Sequence, residues 1–246
     1  MNDVTRCRQR YNCLLSVLFK LFVPALLFLF AIVSVFIFHS LETGNNPELV
    51  SKKIQASGSV ILLLSQFFML IYFLWLKKAD HLEYKDLGWQ RDSGKNFYKN
   101  IMYGSISGIV IALLYIFLIS DAIVLLQRKI GDYVSPGELF SAIGSDISIF
   151  FLANVVFAPF VEENIFRGFA DFELRKYFSV PVRVLISCFY FGMLHWAGGF
   201  WYILATGIIA GTLFHGLFIF TRTIYASFAA HLVLNSIEFI YVISKL

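Results

Sequence analysis

Residues 157–167 read FAPFVEENIFR and place two adjacent carboxylates and an arginine inside a run that otherwise has the composition of a membrane-spanning helix. Ionisable groups at hydrocarbon depth are costly, so they usually face a bundle interior or a wet cavity. On a helix, Glu163 and Arg167 share one face, with the acid on the favourable N-terminal side. Glu162 points about 100° away and has no local partner. It is therefore the acid that needs a functional explanation.

The whole chain has the composition of an integral membrane protein. Of its 246 residues 59% are hydrophobic and 15% are charged, whereas soluble proteins carry about 25% charged residues. The mean hydropathy is +0.74. No linker, repeat or charge block divides the sequence, so we expect one membrane domain over residues 1–246. Within it, residues 1–146 would supply N-terminal helices and a cytoplasmic loop, and residues 147–246 the helices that carry the polar motifs.

Apolar runs predict an all-α, polytopic transmembrane helix bundle. The first run follows an arginine-rich start and is too long for the core of a cleaved signal peptide. The fifth run is short, so about seven spans are expected, with six to eight possible. The predicted spans lie near 14–38, 59–76, 101–126, 147–170, 182–197, 200–220 and 223–244.

The distribution of basic residues predicts the orientation of the bundle. If the N-terminus is inside, fourteen Lys and Arg residues fall in inner segments and five in outer ones, with Arg167 left in the membrane. Basic residues accumulate on the cytoplasmic side, so the N-terminus is predicted to be cytoplasmic. The inner segment 77–100 mixes charged and aromatic residues and is predicted to lie at the membrane surface. No basic stripe indicates nucleic-acid binding.

Two further features concern helix packing. Gly104 and Gly108 have the GxxxG spacing that allows two helices to approach closely, and packing within the monomer is the simplest use of it. Pro159 removes a backbone hydrogen bond, so a carbonyl one turn earlier must find another partner. A kink there would either widen the bundle near Glu162 or have no functional consequence.

Polar residues recur at helical spacing in the later apolar runs. His195 follows Phe191 by one turn, and Asn235 follows His231 by one turn, so each pair can present its side chains on one face. A lone membrane histidine is often a packing residue. Several such groups in consecutive helices, together with Glu162, indicate a shared polar site.

Estimated depths support that site. At 1.5 Å per residue, Glu162 lies about 18 Å, His195 about 20 Å and His231 about 14 Å from the predicted inner ends of their helices. These side chains are expected to meet in a cavity in the inner half of the bilayer. His215 lies only about 8 Å deep by the same measure and is interpreted as a packing residue.

The residue types suit hydrolysis of an amide. A partly desolvated carboxylate such as Glu162 can take a proton from water, and His195 can hold or share that water. His231 and Asn235 can donate hydrogen bonds to the oxyanion that develops on the substrate carbonyl. This chemistry needs no serine or cysteine nucleophile.

Three motifs, EExxxR, FxxxH and HxxxN, occur in that order as Glu162–Arg167, Phe191–His195 and His231–Asn235. In this combination the sequence resembles the CAAX protease and bacteriocin-processing family (CPBP or Abi, type II CAAX prenyl endopeptidase-like) of intramembrane proteases. The resemblance covers roughly residues 150–240, and the KDLGW sequence at Lys85–Trp89 is a looser feature of the same kind.

This resemblance implies a glutamate-dependent intramembrane endopeptidase. It implies four catalytic residues, Glu162, His195, His231 and Asn235, with support from Glu163, Arg167 and Phe191. No HExxH helix is present and the hydrolysis above works without a metal, so a metal-independent enzyme with no cofactor is expected. A Glu/His/His set can also bind zinc, so a zinc-dependent version of the protease stays open.

The expected partners are the lipid bilayer and a membrane-associated peptide or protein substrate, with no nucleic acid. The expected location is the cell membrane, as a multi-pass protein of a bacterial plasma membrane. Prenylated tails, peptide precursors and membrane-protein fragments stay open as substrates, and so does the oligomeric state. The alternative function is that of a non-catalytic membrane partner, such as an immunity or regulatory protein of the same fold.

Overall fold

A computed structural model describes residues 3–90, 94–136 and 146–244, with side chains in 12–90, 96–136 and 146–244. The described residues are mostly helical and contain no strand, which confirms the predicted all-α class. Eight helices follow in order: α1 (Asp3–Glu42), α2 (Pro47–Ala56), α3 (Gly58–Ala79), α4 (Gly94–Leu114, extended by Tyr115–Ile119 and Ser120–Lys129), α5 (Ile147–Leu174), α6 (Val180–Leu194), α7 (Phe200–Thr221) and α8 (Ile224–Ile243).

Six of the described helices, α1, α3, α4, α5, α7 and α8, are long and apolar enough to cross a membrane. The protein is therefore a multi-pass membrane protein. Helix α6 corresponds to the fifth predicted span, but it has only 15 residues. At 1.5 Å per residue it is about 22 Å long, which is shorter than a hydrocarbon core of about 30 Å. The short fifth run thus forms an apolar helix that does not qualify as a full span.

Helices α4 and α8 pack closely through the glycines of the GxxxG sequence. A Cβ atom added to Gly104 would lie 2.2 Å from the carbonyl oxygen of Ala226, and one added to Gly108 would lie 2.5 Å from that of Ala230. Any larger side chain would push the helices apart. The predicted packing within the monomer is confirmed, and it places α4 next to Ala230, the residue of α8 that precedes His231.

Residues 80–90 dock against the ends of the helices. Leu87 is fully buried, and Gly88 adopts a positive φ of 91° that favours glycine. The carbonyl of Gly88 accepts a hydrogen bond of 3.1 Å from the N–H of Ile224 at the start of α8. Trp89 donates from Nε1 to Oδ1 of Asn164 over 2.8 Å. Part of segment 77–100 therefore packs against the bundle, and its position at the membrane surface stays a prediction; residues 91–93 lie outside the described ranges.

Helix α1 is tied to the same end of the bundle. Lys20 binds both carboxylate oxygens of Asp80, at 2.8 and 2.7 Å. Asp80 follows directly on the last residue of α3. This ion pair supplies a partner for the charge that interrupts the first apolar run.

Candidate active site

Helix α5 carries the acids and changes its hydrogen bonding on either side of them. Turns of π-helix span Leu152–Phe157 and Asn164–Phe169. Bonds in a π-helix run from a carbonyl to the fifth N–H onward, and such turns are frequent at functional sites. The change in pitch rotates the acids relative to an uninterrupted α-helix.

Pro159 explains one of the contacts that hold the site together. In the first π-turn, the N–H of Ala158 binds the carbonyl of Ala153. The next carbonyl, that of Asn154, would need the N–H of Pro159, which proline lacks. Asn154 instead accepts a 2.7 Å hydrogen bond from Nδ2 of Asn235 on α8. The carbonyl freed by the proline therefore joins α5 to the HxxxN motif.

Glu162 is almost completely buried, with 3% of its surface exposed. Its Oε1 accepts a 2.8 Å hydrogen bond from Nε2 of Gln66 on α3. Its Oε2 has no hydrogen-bond partner and lies 3.9 Å from Nε2 of His231. One carboxylate oxygen is thus anchored and the other is available for a proton or a water.

Glu163 makes two contacts where the sequence predicted one. The expected pair with Arg167 is present, with Oε2 3.3 Å from Nε. In addition, Oε1 lies 2.9 Å from Nδ1 of His231. A carboxylate can only accept, so Nδ1 carries a proton and Nε2 of His231 is directed toward Glu162. Glu163 therefore orients the histidine of the third motif as well as the arginine.

Phe191 is the aromatic centre of the site. The guanidinium carbon of Arg167 lies 4.1 Å from the Phe191 ring centroid and 5.2 Å from that of Phe214. A guanidinium over an aromatic face is stabilised by the ring quadrupole. Arg167 is only 1% exposed, so these rings and Glu163 provide its compensation.

His195 lies at the C-terminal end of α6, where helical geometry stops. Its Nδ1 lies 2.8 Å from the carbonyl of Phe191, one turn earlier. A carbonyl only accepts, so Nδ1 carries the proton and Nε2 of the neutral ring is an acceptor. The backbone carbonyl of Phe191 thus fixes the tautomer of His195, four residues later in the FxxxH motif.

A cavity of about 670 Å³ adjoins these groups. All four predicted catalytic residues line it, namely Glu162, His195, His231 and Asn235. It continues to Gln55 near the end of α2, Gly58 at the start of α3 and Tyr133 after α4, all at the end of the bundle predicted to be outside. Gln66, the partner of Glu162, lies only about 12 Å along α3 from Gly58. The site therefore connects to the outer end of the bundle, whereas the sequence predicted a cavity in the inner half.

Two polar residues on this cavity were missed by the sequence argument. Gln66 binds Glu162, and Glu238 lines the wall beyond Asn235. Glu238 could have been found, because it follows His231 by seven residues and shares its helix face. Gln66 is an isolated amide in an apolar run, and no local spacing relates it to an acid 96 positions away.

His215 lies in a separate polar cluster, as its shallow predicted depth suggested. It is fully buried, and its Nε2 is 3.5 Å from Oδ1 of Asp171. The same oxygen lies 3.0 Å from Nε of Arg183. None of these three residues lines the cavity.

The sequence left open a zinc site formed by a Glu/His/His set of side chains. In the described ranges, no group of three or more His, Cys, Asp or Glu side chains is arranged to hold a metal ion. Nδ1 of His231 and Nδ1 of His195 are engaged by Glu163 and by a backbone carbonyl, a pairing that is also usual for the second ring nitrogen of a metal-bound histidine. The mechanism proposed for this site uses no metal.

Comparison with known proteins identifies the part of the chain that carries this centre. Residues 144–237 match the family model described as Type II CAAX prenyl endopeptidase Rce1-like. The matched segment contains all three motifs, from Glu162 to Asn235. This Rce1-like match supports, at the level of the family, a CAAX-type intramembrane protease. No curated protein and no solved structure gives a significant match to the chain.

Proposed function

We propose that the protein is an intramembrane endopeptidase that hydrolyses a peptide bond with water activated by Glu162 and His195, without a metal. The observation that carries the proposal is the unpaired Oε2 of Glu162 on a cavity that His195 also lines. The Rce1-like match supports the reaction class, and the side-chain geometry supports the roles.

In the proposed first step, a water bound beside Glu162 gives a proton to Oε2 and attacks the carbonyl carbon of the scissile bond. Gln66 holds the other oxygen, so the carboxylate keeps one orientation. Nε2 of His195 accepts a hydrogen bond from the same water, because Nδ1 is committed to Phe191. A positioned carboxylate base contributes about 10²–10⁴-fold in rate.

The tetrahedral oxyanion would form against α8. His231 can donate from Nε2 when both ring nitrogens carry protons, and the Glu163 carboxylate at Nδ1 then balances the positive charge. Asn235 has two amide hydrogens, of which Asn154 receives one. The second is free to reach the oxyanion. Such donors in a site without bulk water are worth about 3–4 kcal/mol each.

In the last step, the proton held by Glu162 passes to the leaving amine as the carbon–nitrogen bond breaks. This returns Glu162 to its carboxylate form and leaves a new carboxyl and a new amino terminus. Glu162 therefore acts first as a general base and then as a general acid.

The proposed substrate is a membrane-associated peptide or protein that enters the cavity from the bilayer or from its outer end. The proposed location is a bacterial plasma membrane. The proposed reaction needs no cofactor and no nucleic acid.

The test is cleavage of membrane-anchored peptides by the detergent-purified protein, with products mapped by mass spectrometry. Glu162→Gln and His195→Ala are expected to abolish cleavage while the thermal unfolding midpoint is kept. Glu48→Gln is the matched control, because Glu48 is exposed on α2 and does not line the cavity.

Two results would overturn parts of the proposal. Full activity in both site variants would refute the enzymatic roles and favour a non-catalytic partner. Loss of activity with a strong chelator, restored by zinc, would refute the metal-free mechanism.

A further inference from the structure

Glu238 is a half-buried carboxyl group on the cavity wall that the proposed hydrolysis does not use. It follows His231 and Asn235 on the same face of α8, and all three line the cavity. It also lines a smaller cavity of about 50 Å³ with His195 and Tyr202. Glu238 thus faces the space where a substrate would lie, farther from the reacting atoms than the motif residues.

The surroundings of Glu238 are polar but not basic. Tyr115 on α4, Tyr202 on α7 and Glu238 line the same small cavity. The rings of Tyr115 and Tyr202 meet edge to face, with centroids 6.5 Å apart. Among the described side chains, no Lys, Arg or His forms an ion pair with Glu238 within 4.0 Å. By contrast, Glu163 of the EExxxR motif forms ion pairs with Arg167 and His231.

A carboxyl group beside two phenol rings is suited to one class of ligand. Carboxylates bind ammonium and guanidinium groups by charge-assisted hydrogen bonds. The faces of Tyr rings add cation–π attraction to the same groups. Because the described protein supplies no cation here, the counter-charge is expected to come from a bound molecule.

We propose that Glu238, with Tyr115 and Tyr202, binds a cationic group of the substrate: a Lys or Arg side chain, or a free amino terminus. This inference rests on the proposed function, since it names a substrate feature for the same cavity. The site would select among membrane-associated peptides by charge.

The helix geometry places this group relative to the scissile bond. Seven residues separate His231 from Glu238, which is about 10 Å along α8. An extended peptide advances about 3.3 Å per residue. The cation is therefore expected two to four residues from the bond that is cleaved.

The experiment uses pairs of membrane-anchored peptides that the wild type cleaves. In each pair, one position within five residues of the cleavage site is either Lys or norleucine. The measured quantity is the ratio of kcat/KM for the Lys peptide to that for the norleucine peptide. We expect a ratio of about ten at one or two positions in the wild type, as for a close buried charge pair.

Variants assign the preference to the carboxyl group. The ratio is expected to fall to about one in Glu238→Gln, to persist in Glu238→Asp, which keeps the charge, and to persist in the exposed control Glu48→Gln. A Glu238→Gln protein that keeps the wild-type ratio would overturn the inference, and so would a wild-type ratio of one at every position. These results are separable from failure of the proposed function, in which the wild type cleaves neither peptide of any pair.

Discussion

Two buried acids of α5, Glu162 and Asp171, lie about 14 Å apart along the helix. They differ in whether they border the cavity. Glu162 lies on the cavity and keeps one carboxylate oxygen without a partner. Asp171 does not line that cavity, and its Oδ1 lies close to both Arg183 and His215. A buried charge in a membrane helix therefore indicates a reactive site when it borders a cavity. A charge that contacts only side chains of neighbouring helices holds those helices together.

The largest effect is expected from Glu163, which is fully buried and contacts both Arg167 and His231. Glu163→Gln leaves the buried Arg167 without its anion, so the free energy of unfolding should fall by about 3–5 kcal/mol. Thermal unfolding in detergent measures this loss. The double variant Glu163→Gln/Arg167→Met removes both charges and should recover part of the stability. A single variant as stable as the wild type would show that Phe191 and Phe214 suffice to compensate Arg167.

The cluster of Asp171, Arg183 and His215, which lies away from the cavity, should contribute to stability and not to the rate of cleavage. Asp171→Asn weakens the contacts to Arg183 and His215 and is expected to cost about 1–3 kcal/mol of unfolding free energy. Denaturation in mixed micelles gives the change. An unchanged unfolding free energy would mean that these contacts do not hold α5 to α6 and α7.

A smaller effect on rate is expected from the residue that orients the catalytic acid. Gln66→Leu removes the N–H that anchors Oε1 of Glu162 but keeps an apolar side chain in the same place. The rate of cleavage should fall about 10- to 100-fold because the base is misplaced, while the unfolding midpoint stays near that of the wild type. Gln66→Glu is not a suitable substitute, since it sets two acids against each other. Undiminished cleavage by Gln66→Leu would contradict the anchoring role.

The smallest effect concerns the outer loop that holds the turn after His195. Partial burial acts to raise the pKa of Asp132, but hydrogen bonds from the N–H groups of Phe200 and Tyr133 bring that pKa below its ordinary value. The stabilisation is present above the pKa of the unfolded chain and is lost as the pH falls through the lower folded pKa. Asp132→Asn cannot ionise, so the wild type should melt about 2 °C higher than this variant at pH 7.

Differential scanning calorimetry of the wild type and Asp132→Asn over a range of pH tests this prediction. The difference between wild type and Asp132→Asn should shrink as the pH is lowered from 6 to 3. A difference that grows toward acid pH would contradict the sign of the pKa shift.

Local features of this protein could be predicted from its sequence because they depend on neighbouring residues. The Glu163–Arg167 pair and the His195–Phe191 contact both span one helical turn, and both are present. The apolar runs likewise predicted the helices, although the run near 182–197 ends as a helix at Leu194. Periodicity and length are sufficient for such features.

The remaining features depend on how distant helices pack. The contact of Glu163 with His231 joins residues 68 positions apart, and that of Gln66 with Glu162 joins residues 96 apart. No periodic pattern relates such positions. The docking of segment 80–90 could not be predicted for another reason: its charges indicate exposure, while the burial of Leu87 depends on a partner helix.

The most direct test compares two neutralised acids on the same helix in one assay. The rate of peptide cleavage per folded molecule is measured for Glu162→Gln and Asp171→Asn, with folded protein quantified by size-exclusion chromatography. We predict a loss of at least about 10³-fold for Glu162→Gln, as expected when a catalytic base is removed, and a rate within about threefold of wild type for Asp171→Asn. Equal losses in both variants, or cleavage that survives Glu162→Gln, would contradict the assignment of the reaction to the cavity-facing acid.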